Sequence, residues 1–218
     1  MHRKVYVWDR FVRIFHWSLV ALFCVSYLTG EEEHWLHTYS GYAIFTLISL
    51  RVVWGFIGSK HARFADFVYS PGAIARYVAS LASGSPKRYL GHNPAGGLMV
   101  IALLLALYTT TLSGMKLYAV EEGKGPFAGE IAISHRAYAG SDKDDDEKQQ
   151  SREQVGEEYG NEDQDQDEEA FWEEVHEASV TVLLLLVATH IAGVLFGSWR
   201  HKENLVKAMI TGNKESAD

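Results

Sequence analysis

Four long apolar segments constrain this chain more than any other feature of its sequence. Leu, Ile, Val, Phe and Trp are abundant in residues 11–118 and 171–199, whereas residues 121–170 carry mainly Asp and Glu. A helix needs about 20 predominantly apolar residues to cross the hydrocarbon core of a bilayer. We expect four such spans, at about residues 11–29, 36–57, 94–118 and 171–199. The chain is therefore predicted to be an all-α integral membrane protein that folds as a four-helix bundle.

The mean hydropathy of −0.09 suits a soluble protein, but it averages over segments of opposite character. Most of the formal net charge of −8 belongs to residues 121–170. Such a composition cannot bury enough apolar surface to fold, so we expect this insertion to be a flexible, solvated connection. The single cysteine, Cys24, excludes an internal disulfide bond.

Basic residues predict the direction of the spans. Loops on the cytoplasmic side of a membrane carry an excess of Lys and Arg. The basic residues precede the first span, separate the second span from the third, and follow the fourth: Arg3, Lys4, Arg10, Arg13, Lys60, Arg63, Arg76, Lys87, Arg88, Arg200, Lys202, Lys207 and Lys214. The other two connections are acidic. We therefore predict a multi-pass membrane protein with both termini in the cytoplasm and both acidic connections outside.

Two shorter segments have an amphipathic pattern and belong to the predicted cytoplasmic surface. Residues 71–83 place four side chains on one helical stripe, namely Ile74, Tyr77, Val78 and Leu81, and residues 204–210 show the same pattern. Each segment is expected to form a short helix, either in the membrane interface or packed against the bundle.

Four histidines lie within the spans or at their edges: His16, His37, His176 and His190. An imidazole in hydrocarbon requires a polar partner or a metal, so four of them need a common explanation. His176 and His190 are 14 residues apart on the last span, which places them about 21 Å apart and on nearly the same helix face. Given the predicted directions, His16 and His190 share the inner depth, and His37 and His176 share the outer depth.

Two pairs of imidazoles at two depths indicate two b-type haems stacked across the membrane. We name His16 and His190 the inner pair, as predicted ligands of an inner haem iron, and His37 and His176 the outer pair, as predicted ligands of an outer haem iron. Two axial histidines leave no open iron position, which favours electron transfer over oxygen chemistry. Zinc would need a compact tetrahedral site that pairs about 20 Å apart do not offer. The absence of a C-x-x-C-H motif excludes covalent c-type haem attachment.

Two arginines are candidate partners of the haem propionates. Arg51 lies 14 residues after His37, which places it at the depth of the inner pair. A guanidinium there needs an anion, and a propionate can accept two parallel hydrogen bonds from it. For Arg13, a propionate contact and snorkelling to the lipid headgroups are equally good interpretations. Gly41, Gly114 and Gly193 fit either close approach of a porphyrin or helix packing.

Four stretches of the sequence together resemble a known family. They are RIFHW, LHTYSGYAIFTLISLRVVWGFIGSKHARF, RYLGHNPAGG and VHEASVTVLLLLVATHIAGVLFGSWRHKENLVKAMITG. The chain resembles the bacterial cytochrome b561-like proteins, a group that includes the b-type cytochrome subunits of membrane hydrogenases. The resemblance covers nearly all of the chain except about residues 121–170. It implies a di-haem cytochrome b whose ligands fall on the four histidines named above.

The function implied by the resemblance is electron transfer between membrane quinone and a periplasmic redox partner, such as a c-type cytochrome. Two alternatives stay open: a membrane-anchoring cytochrome b subunit of a hydrogenase or another oxidoreductase, and a small enzyme acting alone on ferric ion or superoxide. A non-haem transporter is the weakest alternative. The sequence has no nucleotide-binding loop, no nucleophile–base set and no surface for nucleic acid.

Two further features have simpler interpretations. The acidic insertion is either a solvated connection or a docking surface for a cationic periplasmic protein. The remaining histidines, namely His34, His61, His92, His135 and His201, are expected to have ordinary surface roles.

Overall fold

The computed structural model describes residues 4–30, 35–84, 86–129 and 150–215 of the chain. Its elements are helical apart from two short strands. In chain order they are β1 (Lys4–Tyr6), α1 (Arg10–Leu28), α2 (Trp35–Ile57), α3 (Phe64–Phe67), α4 (Pro71–Ala82), α5 (Pro94–Glu122), α6 (Gln150–His201), α7 (Leu205–Thr211) and β2 (Asn213–Glu215).

Four of these helices, α1, α2, α5 and α6, are long and apolar enough to cross a membrane. They correspond to the four predicted spans, and the candidate span of α6 lies within Gln166–His201. The helix starts follow from capping side chains. Asp9 accepts a hydrogen bond from the Val12 N–H at 2.8 Å, and Asn93 accepts one from the Gly96 N–H at 2.7 Å.

Many apolar side chains on the spanning helices are exposed, as expected of surfaces that face lipid. Leu28 is 80% exposed, Trp199 76% and Ile14 67%. Large contiguous apolar surfaces of this kind are rare on soluble monomers. These helices therefore require a bilayer to cover them.

The chain forms two compact units, residues 1–108 with 182–218 and residues 109–181. In the first unit α1 packs against α2. Its main apolar cluster joins α2, α5 and α6 through Ile44, Ile48, Leu104, Leu107 and Leu183. The Tyr108 hydroxyl donates to the Ser49 hydroxyl at 3.0 Å inside the same region.

A second cluster in the first unit joins the two ends of the described chain. Its buried members are Val7, Trp8, Val12, Ala62 and Ala208. Strand β1 pairs with β2 in antiparallel register, with Val5 opposite Lys214. The turn before β2 uses Gly212 at a φ of 83°, and the Gly212 carbonyl accepts hydrogen bonds from the N–H groups of Val7 and Trp8.

The two predicted short helices are present as α4 and α7. Ser70 caps α4 through the Ala73 N–H, and Asn204 caps α7 through the Lys207 N–H at 2.7 Å. Both helices also bury a side chain against the protein, Tyr77 from α4 and Ala208 from α7. Packing against the bundle therefore contributes to the position of each helix.

The acidic insertion differs in part from the expectation. Residues 150–170 are helical and continue directly into the last span. Their many Glu and Gln residues are good helix formers, and extending an existing helix avoids the nucleation penalty. Residues 130–149 lie outside the described residues, and so do His34 and His135.

Candidate functional site

The inner pair comes together in the first unit. His16 on α1 and His190 on α6 are both half-buried, and their ring centres lie 6.4 Å apart with an angle of 53° between the ring planes. Two imidazoles bound to opposite sides of one iron have ring centres about 6 Å apart, since each metal–nitrogen bond is about 2 Å. The spacing of these two rings therefore fits a single metal ion held between them.

Two histidines alone do not make a complete metal site. Within the described ranges, no group of three or more His, Cys, Asp and Glu side chains lies close enough to hold a metal ion. A metal between His16 and His190 would need its remaining ligands from another molecule. A porphyrin supplies four nitrogens in one plane and leaves two axial positions for histidine. The donor set fits haem and does not fit a structural zinc site.

His37 of the outer pair is oriented by a hydrogen bond to the preceding helix. Its Nδ1 lies 2.9 Å from the Ser26 carbonyl oxygen and 3.4 Å from the Ser26 hydroxyl. A carbonyl oxygen accepts but cannot donate, so Nδ1 must carry the proton. The lone pair of this neutral ring is then on Nε2, which is the nitrogen available to a metal.

His176, the other member of the outer pair, lies in the second unit and has the same tautomer. Its Nδ1 is 3.1 Å from the Thr110 carbonyl oxygen and 3.1 Å from the Ser113 hydroxyl. The carbonyl again requires the proton on Nδ1 and leaves Nε2 as the acceptor. His37 and His176 belong to different units, and their pairing stays a prediction.

Three glycines lie close to the predicted ligands. A Cβ atom on Gly114 would lie 2.9 Å from Cε1 of His176, so this position must be glycine for the ring to fit. A Cβ on Gly41 or Gly193 would meet no atom within 4 Å. These two residues follow His37 and His190 by about one helical turn, and Gly193 is exposed on its helix, so a porphyrin contact at either residue stays a prediction.

Arg51 is a buried cation with a free donor. It is 3% exposed, one Nη nitrogen donates to the Ala62 carbonyl at 3.0 Å, and the other is buried without a partner among the described residues. Its guanidinium lies 5.6 Å from the ring centre of Phe64 and 5.9 Å from that of Phe67. A buried guanidinium with an unused N–H is unfavourable unless an anion pairs with it. Arg51 therefore fits the role of a propionate partner.

Arg13 has a structural contact that the sequence did not indicate. Its Nη1 donates to the Ile210 carbonyl at 2.6 Å and ties α1 to α7. Its Nε is buried and has no partner in the part of the chain that the structure describes. The propionate and headgroup interpretations of Arg13 both stay predictions.

His92 is the residue whose expected role was wrong. Its ring centre lies 4.7 Å from those of Trp8 and Phe67, and its Nδ1 is buried without a partner among the residues described. Burial lowers the pKa of His92 to about 3, and the positive charges of Arg51 and Lys214 act in the same direction. This histidine is a packed neutral ring and has no ordinary surface role.

No local sequence signal marks the burial of His92. It lies immediately before the capping residue Asn93, and the rings that cover it, Trp8 and Phe67, come from other parts of the chain.

Comparison with known proteins gives a consistent result. The chain matches the family model described as prokaryotic cytochrome b561 over residues 7–212. It is similar to proteins named probable Ni/Fe-hydrogenase B-type cytochrome subunit. The one from Rhizobium leguminosarum bv. viciae is 27% identical, with 60% of this chain and 66% of the relative covered. That from Azotobacter chroococcum mcd 1 is 28% identical, with 57% and 63% covered.

A third relative with the same name, from Rhodobacter capsulatus, is 26% identical over 56% of this chain and 58% of the relative. The chain thus spans slightly less than two thirds of the length of these curated relatives. No solved structure matches the chain.

Proposed function

The chain belongs to the prokaryotic cytochrome b561 family, and from this premise we propose that it transfers electrons across the membrane through two b-type haems. The haems would connect the membrane quinone pool with a periplasmic redox partner. The observation that carries the proposal is the facing pair His16 and His190, whose ring centres are 6.4 Å apart. That spacing leaves room for one iron with an imidazole on each side.

The four histidines are the proposed ligands. His16 and His190 would hold the inner haem, and His37 and His176 the outer haem. When bound, each haem supplies a centre that accepts and releases one electron. The chain contributes the axial ligands, their orientation and an apolar surrounding.

Orientation of the rings is the chain's main contribution at the outer pair. The Ser26 carbonyl holds Nδ1 of His37, and the Thr110 carbonyl holds Nδ1 of His176. Such partners fix the tautomer and the ring orientation and raise the basicity of the other nitrogen. The ligand nitrogens are therefore preorganised before a metal binds.

Charge balance is the chain's contribution at the inner pair. Arg51 is buried with an unused N–H, and a propionate would give it an anionic partner. A cation beside a redox centre stabilises the reduced state, because reduction adds a negative charge. Arg51 would thus hold the inner haem in place and favour its reduction.

Location follows from the four spans. The protein is integral to the membrane, and its exposed apolar side chains contact lipid. The basic connections support an orientation in the bacterial inner membrane with both termini in the cytoplasm and the acidic insertion in the periplasm. With that orientation the outer pair lies near the periplasmic surface.

The proposed reaction partners are a membrane quinone and a soluble periplasmic protein. The acidic insertion, residues 121–170, would give the periplasmic side an acidic surface, because its sequence is rich in Asp and Glu. A basic protein such as a c-type cytochrome would be attracted to this surface, and added salt would weaken the attraction.

The second candidate function is that of a membrane-anchoring subunit of a hydrogenase. The observation in its favour is the similarity to proteins named probable Ni/Fe-hydrogenase B-type cytochrome subunit. In this case the two haems would pass electrons from a bound periplasmic enzyme to quinone. The same ligands and the same orientation would serve both functions.

One experiment tests the proposal and separates the candidates. The purified chain is mixed with a reduced quinone analogue, and haem reduction is followed by absorbance, with His190→Ala as the control. Electron exchange with the analogue, followed by reduction of an added soluble c-type cytochrome, supports the carrier function. Electron exchange with the analogue, without reduction of the added soluble acceptor, supports a subunit role. No exchange at all contradicts both.

A further inference from the structure

The second unit contains a serine whose hydroxyl contacts a proposed ligand. The Ser113 hydroxyl lies 3.1 Å from Nδ1 of His176 and 3.1 Å from the Thr110 carbonyl oxygen. Nδ1 of His176 is itself 3.1 Å from that same carbonyl. Thr110 and Ser113 lie on one face of α5 because they are three residues apart.

The available protons determine the direction of each hydrogen bond among Ser113, Thr110 and His176. A serine hydroxyl has one proton, and here it is donated to the Thr110 carbonyl. The Ser113 oxygen therefore acts as an acceptor towards His176. The proton on Nδ1 is shared between the Ser113 oxygen and the Thr110 carbonyl.

The surroundings of this contact are tightly packed. Ser113 is 2% exposed, and the next residue, Gly114, leaves just enough space for the His176 ring. Water has little access to compete for the Nδ1 proton. In such surroundings a hydrogen bond is electrostatically stronger than in water.

A nearby serine provides a matched comparison. The Ser179 hydroxyl donates to the His176 carbonyl at 2.8 Å and is bonded to the backbone of its own helix. It is buried like Ser113, at 9% exposed, but its recorded hydrogen bond does not involve a ring nitrogen. The two serines differ in whether they act on the imidazole.

We propose that Ser113 is a positioning residue for His176 and tunes the outer haem through the imidazole. This inference rests on the proposed function, because it assumes that Nε2 of His176 binds the outer haem iron. An acceptor on Nδ1 raises the basicity of the ligand nitrogen. A more basic ligand stabilises the oxidised iron, and hydrogen bonding around the ligands is one of the means by which a protein sets a haem potential.

The test uses Ser113→Ala in the full chain, with Ser179→Ala as the control. Haem content, the midpoint potentials of the haems and the electron paramagnetic resonance of the oxidised protein are measured for both variants. The His176→Ala variant identifies which signal belongs to the outer haem. We expect Ser113→Ala to keep its haems but to raise the potential and shift the resonance of the outer haem alone. Ser179→Ala should match the wild type.

A third variant keeps the test decisive if Ser113→Ala fails to assemble. Ser113→Cys keeps a small side chain that can accept a hydrogen bond, but its sulfur is larger than oxygen and is a weaker acceptor, so it should shift the same signal by a smaller amount. Unchanged potentials and resonances in the assembled Ser113 variants would overturn the inference, and so would an equal shift in Ser179→Ala. A wild-type chain without haem would instead overturn the proposed function.

Discussion

The two pairs of histidines are held in different ways. In the outer pair, each ring has its Nδ1 within hydrogen-bond distance of a backbone carbonyl, that of Ser26 for His37 and that of Thr110 for His176. In the inner pair, Nδ1 of His16 is buried and has no partner among the described residues. The inner rings instead face each other across 6.4 Å.

Histidine rings in one protein can therefore be oriented in two ways, with or without a hydrogen bond on Nδ1. A carbonyl on Nδ1 fixes the outer rings even without a metal, since it determines both tautomer and rotation. Under the proposed function, the inner rings would depend more on the haem iron that they bind and on the buried cation Arg51. The outer site should therefore respond to changes around single rings, and the inner site to changes in charge.

The largest expected effect comes from removing the ligands themselves. His16→Ala and His190→Ala should each abolish the inner haem, and His37→Ala and His176→Ala should each abolish the outer haem, because one imidazole cannot replace two axial ligands. The measurement is haem per polypeptide together with the spectrum of the remaining haem. If His16→Ala and His37→Ala removed the same haem, the pairing would be wrong.

The next effect concerns the space beside an outer ring. Gly114→Ala places a Cβ 2.9 Å from His176, so the ring must move away from its hydrogen bonds. We expect the outer haem to bind about 10- to 100-fold more weakly, as for other losses of ligand orientation. Haem retention during dilution in detergent measures this.

Gly129→Ala is the matched control, because a Cβ there meets no atom within 4 Å. Equal haem retention in the Gly114 and Gly129 variants would show that the His176 ring does not need its present position.

A charge change should act on the inner site alone. Arg51→Met removes the buried guanidinium while keeping a long side chain, and we expect about tenfold weaker retention of the inner haem. The outer haem should be unaffected. Arg63→Met is the control, since Arg63 is exposed and pairs with Asp66 at 3.1 Å. A more stable Arg51→Met protein with full haem content would mean that no propionate pairs with Arg51.

The smallest expected effect is a pH dependence from His92. The folded protein keeps this ring neutral down to a pH of about 3, whereas an unfolded chain protonates it near its ordinary pKa of about 6.5. Its contribution to stability is therefore complete above a pH of about 6.5 and is lost progressively as the pH falls from there towards about 3.

His92→Phe keeps an aromatic ring but cannot be protonated. Its melting temperature should fall less between pH 7 and pH 6 than that of the wild type, by about 2 °C (~0.7 kcal/mol for a chain of this size). An identical fall in both proteins would show that His92 is accessible to protons in the folded state.

The sequence predicts the spanning helices well because their apolar length is a local property. The second span was expected at about residues 36–57 and is found at Trp35–Ile57. The extension of α6 back to Gln150 was not predicted, because composition alone does not show that a polar segment continues an existing helix. The approach of His16 to His190 was predictable, because helix periodicity and the direction of the spans can both be read from the sequence.

The hydrogen bonds of the outer rings could not be predicted. They depend on which carbonyl of a neighbouring helix lies within about 3 Å of a ring, and that is set by helix packing and rotation. Ser113 looks like any other small residue in an apolar span. For the same reason His92 looked like a surface residue, although Trp8 and Phe67, from distant parts of the chain, cover it.

The central claim is that four histidines hold two haems, and the most direct test is the haem count of the purified wild-type chain. Absorbance of the oxidised and reduced protein, set against the polypeptide concentration, gives that count. We expect two low-spin b-type haems per chain. A count of one would leave one pair of histidines without its proposed role, and a count of zero would contradict the proposal that the four histidines bind haem.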